Sequence, residues 1–231
     1  MKNLVGVTTL TFDMFGTVLD LTETLVPPAA RLLVEKNAAI GGGAFWEQWR
    51  ARQRIEQYQD TILMLGHSGY LETCRRSLVY CLRQNGVDFT PNEVEVIMGA
   101  YGNLEPFEDV ERGLERLKGH YRLVALSNGD ASLLEQLTAN QVGVEFDAII
   151  SVDQAAVFKP HPAVYRAAAR QLGIEPPEIM MVASHSFDIM GARACGYRGA
   201  YVNRYRLPFE ETPHRQDIEV YDLVELAAAL L

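Results

Sequence analysis

The chain has 231 residues, 48% of them hydrophobic and 22% charged, with a formal charge of −9. That length buries one sizeable core, or a core with a smaller inserted unit, and the acidic balance argues against a nucleic-acid binder, which needs a basic patch. No apolar run approaches bilayer length; Asp13 interrupts the N-terminal apolar stretch and no small-residue cleavage site follows, so neither a membrane segment nor a secretory leader is expected. Cys74, Cys81 and Cys195 form no CxxC pair and leave an odd thiol, which reads as reduced cysteine in a cytoplasmic protein.

In chain order, Val7 to Phe12 reads as a buried strand ending at Asp13. After Leu19 the periodicity becomes helical for about eighty residues. Pro27 and Pro28 sit where a helix would start. The glycines 41–43 break the chain before AFWEQWRARQRIEQYQDTILML, whose apolar residues recur at three- and four-residue spacing. YLETCRRSLVYCLRQNG is a further amphipathic helix stopped by Asn85-Gly86, and TPNEVEVIMGAY another, capped by Thr90. From residue 106 strands and helices alternate: VERGLERLKG, YRLVALS, ASLLEQLTAN, FDAIIS, PAVYRAAARQLG, IMMVAS, FDIMGARACG, GAYVN and DLVELAAALL. Such alternation predicts a parallel sheet covered on both faces. The expected architecture is an α/β, doubly wound, Rossmann-like core formed by 1–19 and 101–231. An all-helical unit, 20–100, is inserted after the first strand.

In such sheets ligands bind beyond the carboxyl ends of the strands. Those ends carry Asp13, then Ser127-Asn128-Gly129, then Lys159, then Ser184-His185 leading to Asp188. A lone acid at a strand end is commonly a turn cap. Here Gly16 would turn the backbone tightly, Thr17 would hold a carboxylate oxygen, and Lys159 in the stiff FKPHP loop would keep Asp13 ionised and nucleophilic.

FDMFGT, LSNG, FKPHP and SHSFD, in this order, resemble the four motifs of the haloacid dehalogenase superfamily, and the helical insertion resembles its cap. The phosphatases of that superfamily carry a second acid two residues after the nucleophile and a further acid in the last motif for magnesium. Here those positions are Phe15 and Ser184, which removes most of the electrostatic stabilisation phosphoryl transfer requires. The chain is instead similar to the type II, L-specific 2-haloacid dehalogenases, through Asp13-Met14-Phe15-Gly16-Thr17, Trp49-Arg50, Ser127-Asn128-Gly129, Lys159-Pro160-His161-Pro162 with Tyr165, and Ser184 to Asp188.

The resemblance implies a cofactor-independent hydrolase, without a metal, that converts small (S)-2-haloalkanoic acids to (R)-2-hydroxy acids and halide. Asp13 would attack C2 to give an aspartyl ester, and Phe15 would supply an apolar wall. Arg50 and Asn128 would stabilise the halide, while Thr17, Ser127 and loop amides would take the substrate carboxylate. Lys159, Asp188, Tyr165 and Ser184 complete the implied site. A homodimer, through the helical unit, is implied by resemblance alone. Arg50 has a plainer reading as a solvated helix face.

The last motif departs from the usual Ser-Ser-Asn string: Ala183 replaces a serine and His185 the asparagine. An imidazole that titrates near neutrality suits water activation. The expectation is that His185 is the base for ester hydrolysis, oriented by Glu23, with Asp20 as the second candidate. His67, His120, His161 and His214 read as solvated. Competing readings are the same ester chemistry on another 2-substituted carboxylate, a magnesium-dependent phosphatase, and an idle binding protein. The last is disfavoured by the retention of Asp13, Lys159 and Asp188 together.

Overall fold

The structure, a computed structural model, describes residues 6–64 and 66–231. The first five residues, part of the stretch read as lacking a leader, and Leu65, the last residue of the long apolar-periodic run, lie outside the described residues.

The strands are β1 (Thr9–Phe12), β2 (Leu19–Asp20), β3 (Glu105–Pro106), β4 (Arg122–Ser127), β5 (Ala148–Ser151), β6 (Ile179–Ala183), β7 (Arg198–Val202) and β8 (Ile218–Val220). Around them run helices α1 (Thr22–Glu35), α2 (Gly42–Leu63), α3 (Tyr70–Gln84), α4 (Pro91–Gly99), α5 (Val110–Leu117), α6 (Ala131–Asn140), α7 (Pro162–Leu172), α8 (Ser186–Ala194) and α9 (Leu223–Leu230). Two compact units result: one is the chain up to Leu19 together with Pro106–Leu231, the other Asp20–Glu105. Among the described residues no helix is long and apolar enough to cross a membrane.

In the first unit six strands form one sheet in the order β5-β4-β1-β6-β7-β8, every neighbouring pair parallel. Both faces of the central strands are covered: β1 and β6 are buried along their whole length, and β6 reads as a continuous apolar run. The one polar group in the middle of β1 is satisfied, Thr11 Oγ1 donating to the Met180 carbonyl at 3.3 Å. Chain order moves outward from β1 to β4 and β5 on one side, and from β6 to β7 and β8 on the other. Right-handed crossovers therefore place the two sets of helices on opposite faces. The direction reverses between β1 and β6, and a crevice opens at their carboxyl ends. Asp13 and Ser184 are the residues that stand there.

The second unit is helical. α4 begins with a capping box, in which Thr90 Oγ1 accepts from the Glu93 amide and Glu93 accepts from the Thr90 amide. Pro27 and Pro28 do not start a helix as expected but lie inside α1. The amides they lack would have bonded the carbonyls of residues 23 and 24 in the first turn, near solvent, so the loss is small. The start is instead set by Asp20, whose Oδ1 accepts from the Thr22 amide at 2.8 Å. The unit extends through the 3-10 turn Ala100–Asn103, because the buried Tyr101 ring packs edge-on against Trp49 and Tyr70 at 6.3 and 6.0 Å.

Candidate active site

β1 continues one residue past its last ladder position, the Asp13 amide donating to the Val182 carbonyl at 2.9 Å. The chain then turns tightly, the Met14 carbonyl accepting from the amides of Thr17, Val18 and Leu19. Gly16 is required twice: its φ is +88°, and a Cβ there would lie 2.9 Å from the Tyr205 hydroxyl and 3.0 Å from His185 Cε1. Thr17 Oγ1 donates to Asp13 Oδ2 at 2.8 Å and accepts from the Ser184 amide at 2.9 Å. One hydroxyl thus ties the ends of β1 and β6 to the carboxylate.

Lys159 is 1% exposed and spends all three ammonium protons: on Asp13 Oδ1 at 3.0 Å, Asp188 Oδ2 at 2.6 Å and the Leu126 carbonyl at 2.8 Å. Asp188, in the first turn of α8, accepts at its other oxygen from the Tyr165 hydroxyl at 2.7 Å. His185 Nδ1 lies 3.3 Å from Asp13 Oδ2. Burial alone would raise the Asp13 carboxyl, but the Lys159 ammonium and the His185 ring outweigh it and hold the group well below the ordinary carboxylate range. Asp188 moves the other way: burial, only partly offset by the shared Lys159 and reinforced by Asp13, raises it. Two acids share one cation, and the first proton taken up goes to Asp188. Burial and then Asp188 push the Tyr165 phenol far up, so it stays a donor.

The β4 end organises the loop that carries Lys159. Asn128 Oδ1 accepts from the Lys159 amide at 2.8 Å, and Ser127 Oγ accepts from the Gly129 amide at 3.2 Å. Phe15, 5% exposed, lies over Gly129, where a Cβ would stand 2.6 Å from its ring. No acid occupies that position. Ser184 Oγ is buried with no hydrogen-bond partner among the described residues, an unspent hydroxyl beside the nucleophile loop.

Asp13, Phe15, Thr17, Ser127, Asn128, Lys159, Tyr165, Ser184, His185 and Asp188 therefore come together in the first unit. Arg50 and Glu23 belong to the helical unit. Arg50 is half-buried on α2, donates to Gln53 Oε1 and lies 5.6 Å from the centre of the Trp46 ring, so it is not a freely solvated side chain. Glu23 is exposed in the first turn of α1, where the helix dipole favours an acid. His161, read as solvated, is exposed and also caps α7 through Nδ1, which accepts from the Ala163 amide at 3.2 Å.

Sequence reasoning missed a clamp on the nucleophile loop. Arg204 Nε donates to the Thr17 carbonyl at 2.9 Å while its guanidinium grips Asp109 through two bonds of 2.7 and 2.8 Å. Asp109 also accepts from the Leu223 amide at the start of α9. The Tyr205 hydroxyl donates to the Gly16 carbonyl at 3.0 Å, and the rings of Phe187 and Tyr205 flank His185 at 5.5 and 6.1 Å. The available signal was position: NRY follows β7, a fifth strand end on the same rim.

An ammonium occupies the space between the two carboxylates, and all four of their oxygens already face Lys159, Tyr165, Thr17 or His185. The described residues hold no group of three or more acids, histidines or cysteines placed to bind a metal ion.

The sequence profile of the haloacid dehalogenase-like hydrolase family matches residues 7–196. Haloacetate dehalogenase H-2 of Moraxella sp. (strain B) is 30% identical over 213 residues, 91% of this chain and 92% of that protein. The (S)-2-haloacid dehalogenase of Xanthobacter autotrophicus is 33% identical over 195 residues, 84% of this chain and 74% of that protein. A solved structure of the L-2-haloacid dehalogenase from Xanthobacter autotrophicus with chloropropionic acid covalently bound superposes with a TM-score of 0.81 at 27% identity, covering 97% of this chain and 98% of that one.

Proposed function

Because the chain belongs to the haloacid dehalogenase-like hydrolase family, we propose that it hydrolyses small (S)-2-haloalkanoic acids to (R)-2-hydroxy acids and halide, with Asp13 as nucleophile. The observation that carries this reading is the pairing of Asp13. It is a buried carboxylate kept ionised by Lys159, with the apolar Phe15 where a leaving-group acid would stand. Halide leaves as a weak base and needs no proton, whereas an alcohol leaving a phosphate does.

In the first step an Asp13 oxygen forms a bond to C2 as the carbon–halogen bond breaks, and the electron pair leaves with the halide, inverting C2. Arg50 and Asn128 stabilise the departing anion; Ser127 and the loop amides hold the substrate carboxylate, while Thr17 keeps its hydroxyl proton on Asp13. In the second step water attacks the Asp13 carboxyl carbon and gives a proton to His185. The carbonyl–oxygen bond then breaks, the hydroxy acid takes that proton back, and Asp13 returns as a carboxylate with release of one proton to solvent. His185, with Nδ1 at 3.3 Å from Asp13 Oδ2, is close enough to serve the ester carbon, and Glu23 is its proposed orienting partner. Lys159 keeps its contact with Asp188 throughout, Tyr165 fixes that acid, and Ser184 supplies its unspent hydroxyl.

The helical unit, in this reading, is the cap domain of the family, and the exposed apolar end of α2 supports a homodimer: Ile62, Leu63 and Met64 are 76, 61 and 85% exposed. Cys74, Cys81 and Cys195 form no disulfide, which suits a reducing cytoplasm. The test is halide release from both enantiomers of 2-chloropropionate, in a chelator, with Asp13→Asn as control and acid-quenched mass spectrometry of His185→Asn. Release from the S enantiomer only, its loss in the control, and a trapped ester in the histidine variant are expected. Release that survives Asp13→Asn overturns the mechanism, and hydrolysis at the parent rate in His185→Asn removes the histidine from it.

A further inference from the structure

Half of the stripe that α2 buries is amide. Phe45 and Trp49 are followed, at the same four-residue spacing, by Gln53, fully buried, and Gln57, 6% exposed. An aliphatic side chain would fill the Gln53 site without the desolvation cost of an amide, so its bonds carry the explanation. Gln53 Nε2 donates to the Tyr101 hydroxyl at 2.7 Å, and Oε1 accepts from Arg50 Nη1, one turn back on α2. The two partners fix which end of the amide is which: the carbonyl faces a cation and the amino group a phenol oxygen. Tyr101 is 1% exposed and wedged edge-on between Trp49 and Tyr70, so it cannot follow a moving partner. Trp49 is pinned in turn, its indole donating to the Cys74 carbonyl and Ser77 Oγ at 3.0 Å each. On the same helix Arg52 is committed to Glu56, Nε to Oε1 at 2.9 Å. Gln53 is a neutral amide, so its bond holds Arg50 without adding a counter-charge.

We infer that Gln53 and Tyr101 are positioning residues, a rigid relay that holds the Arg50 guanidinium preorganised for the halide leaving C2. The inference rests on the proposed contact of Arg50 with the departing halide and explains what holds that side chain, through a bond that adds no counter-charge. A long arginine held in one conformation before the reaction loses no rotamer freedom at the transition state, where the developing anion needs it.

The test measures single-turnover halide release from (S)-2-chloropropionate and (S)-2-bromopropionate in the parent, Arg50→Lys, Tyr101→Phe and Gln53→Leu. Chloride is the poorer leaving group and depends more on stabilisation, so a loosened Arg50 slows chloride release more than bromide release. Losing one neutral hydrogen bond, about 1 kcal/mol or a factor of about five, sets the scale for the chloride rate in Tyr101→Phe. The bromide-to-chloride rate ratio is expected to rise in both relay variants and further in Arg50→Lys. A variant that merely folds less well lowers both rates alike and leaves the ratio unmoved, so the ratio reports positioning even where stability falls. An unchanged ratio in Arg50→Lys removes the halide contact and the relay with it. A raised ratio in Arg50→Lys with the parent ratio in both Tyr101→Phe and Gln53→Leu overturns the relay alone.

Discussion

Replacing Lys159 by methionine keeps an unbranched side chain one atom shorter and deletes the charge between Asp13 and Asp188. The ammonium stands 3.0 and 2.6 Å from the two carboxylates at 1% exposure, so neither acid can turn to water for compensation. Breaking a buried pair costs about 3–5 kcal/mol if the orphaned charge persists; the variant lowers that cost by binding protons, and stability becomes coupled to pH. In the parent the folded Asp13 pKa lies below its unfolded value, so the stability it contributes is present above the ordinary carboxylate range and lost only in strong acid. Asp188, raised to about 6 by burial first, has the opposite sign, its contribution falling as the pH rises through that value. In Lys159→Met both acids are raised, so both contributions are present in acid and lost as the pH rises. A tenfold change in proton affinity is worth about 1.4 kcal/mol, so a carboxylate that binds its proton about a hundredfold more tightly costs about 3 kcal/mol at alkaline pH. Urea midpoints at about pH 5 and about pH 8 should show the deficit of the variant growing with pH. Halide release should fall at least about a hundredfold at neutral pH, because a protonated Asp13 is no nucleophile. A deficit independent of pH, or a variant that still releases halide at the parent rate, would refute this account of the trio.

Four further outcomes follow from the same contacts. Gly129→Ala drives a methyl to 2.6 Å from the Phe15 ring and 2.9 Å from Leu134, and should cost about 1–3 kcal/mol in thermal unfolding together with halide release; parent behaviour would mean that the ring does not sit there. Thr17→Val loses the bond to Asp13 and leaves the Ser184 amide unpaired, a cost of about 1–3 kcal/mol with slower ester formation by rapid quench, whereas Thr17→Ser keeps both contacts and should behave as the parent. Asp109→Asn weakens the grip on Arg204 and should lower the urea midpoint by the equivalent of about 3 kcal/mol. Asp188→Asn leaves Asp13 alone with Lys159, and rapid quench should show ester formation slowed about tenfold as the carboxylate becomes about tenfold less basic; a faster first step would contradict it.

The first unit was legible wherever a residue carried chemistry at the end of an apolar run. Asp13, Asn128, Lys159 and Asp188 all stand at the rim because parallel strands can end only there, and ASLLEQLTAN forms α6 over its whole length. β8 escaped notice because Ile218–Val220 is a three-residue edge strand with a single buried residue. Arg204 and Asp109 were invisible for another reason. They lie 95 positions apart, and nothing in either local sequence signals a bidentate pair that forms only when the sheet has closed. Gln53 was masked by its own helix: an amide at a core position breaks the apolar period and reads as a surface residue until Tyr101 appears opposite it. Pro27 and Pro28 misled because helix-start statistics describe the first turn, while here Asp20 had already supplied the start.

The electrostatics of the trio connect the two steps of the proposed reaction. With both acids ionised, Asp13, Asp188 and Lys159 sum to one net negative charge in a site of low dielectric. That surplus is why Asp188 is raised while Asp13 is lowered: one cation cannot fully serve two buried anions. Alkylation of Asp13 removes its charge and leaves Lys159 with Asp188 alone, a balanced ion pair further held by the Tyr165 hydroxyl. The covalent state is therefore relieved of a tension present in the free enzyme, and the second acid raises the reactivity of the first by competing for its counter-ion. The same surplus works against the arrival of a carboxylate substrate. The reading that gives Arg50 an anion to stabilise also supplies the positive charge that a 2-haloacid requires. Lys159 alone cannot provide it, since its three donors are already spent on Asp13, Asp188 and Leu126.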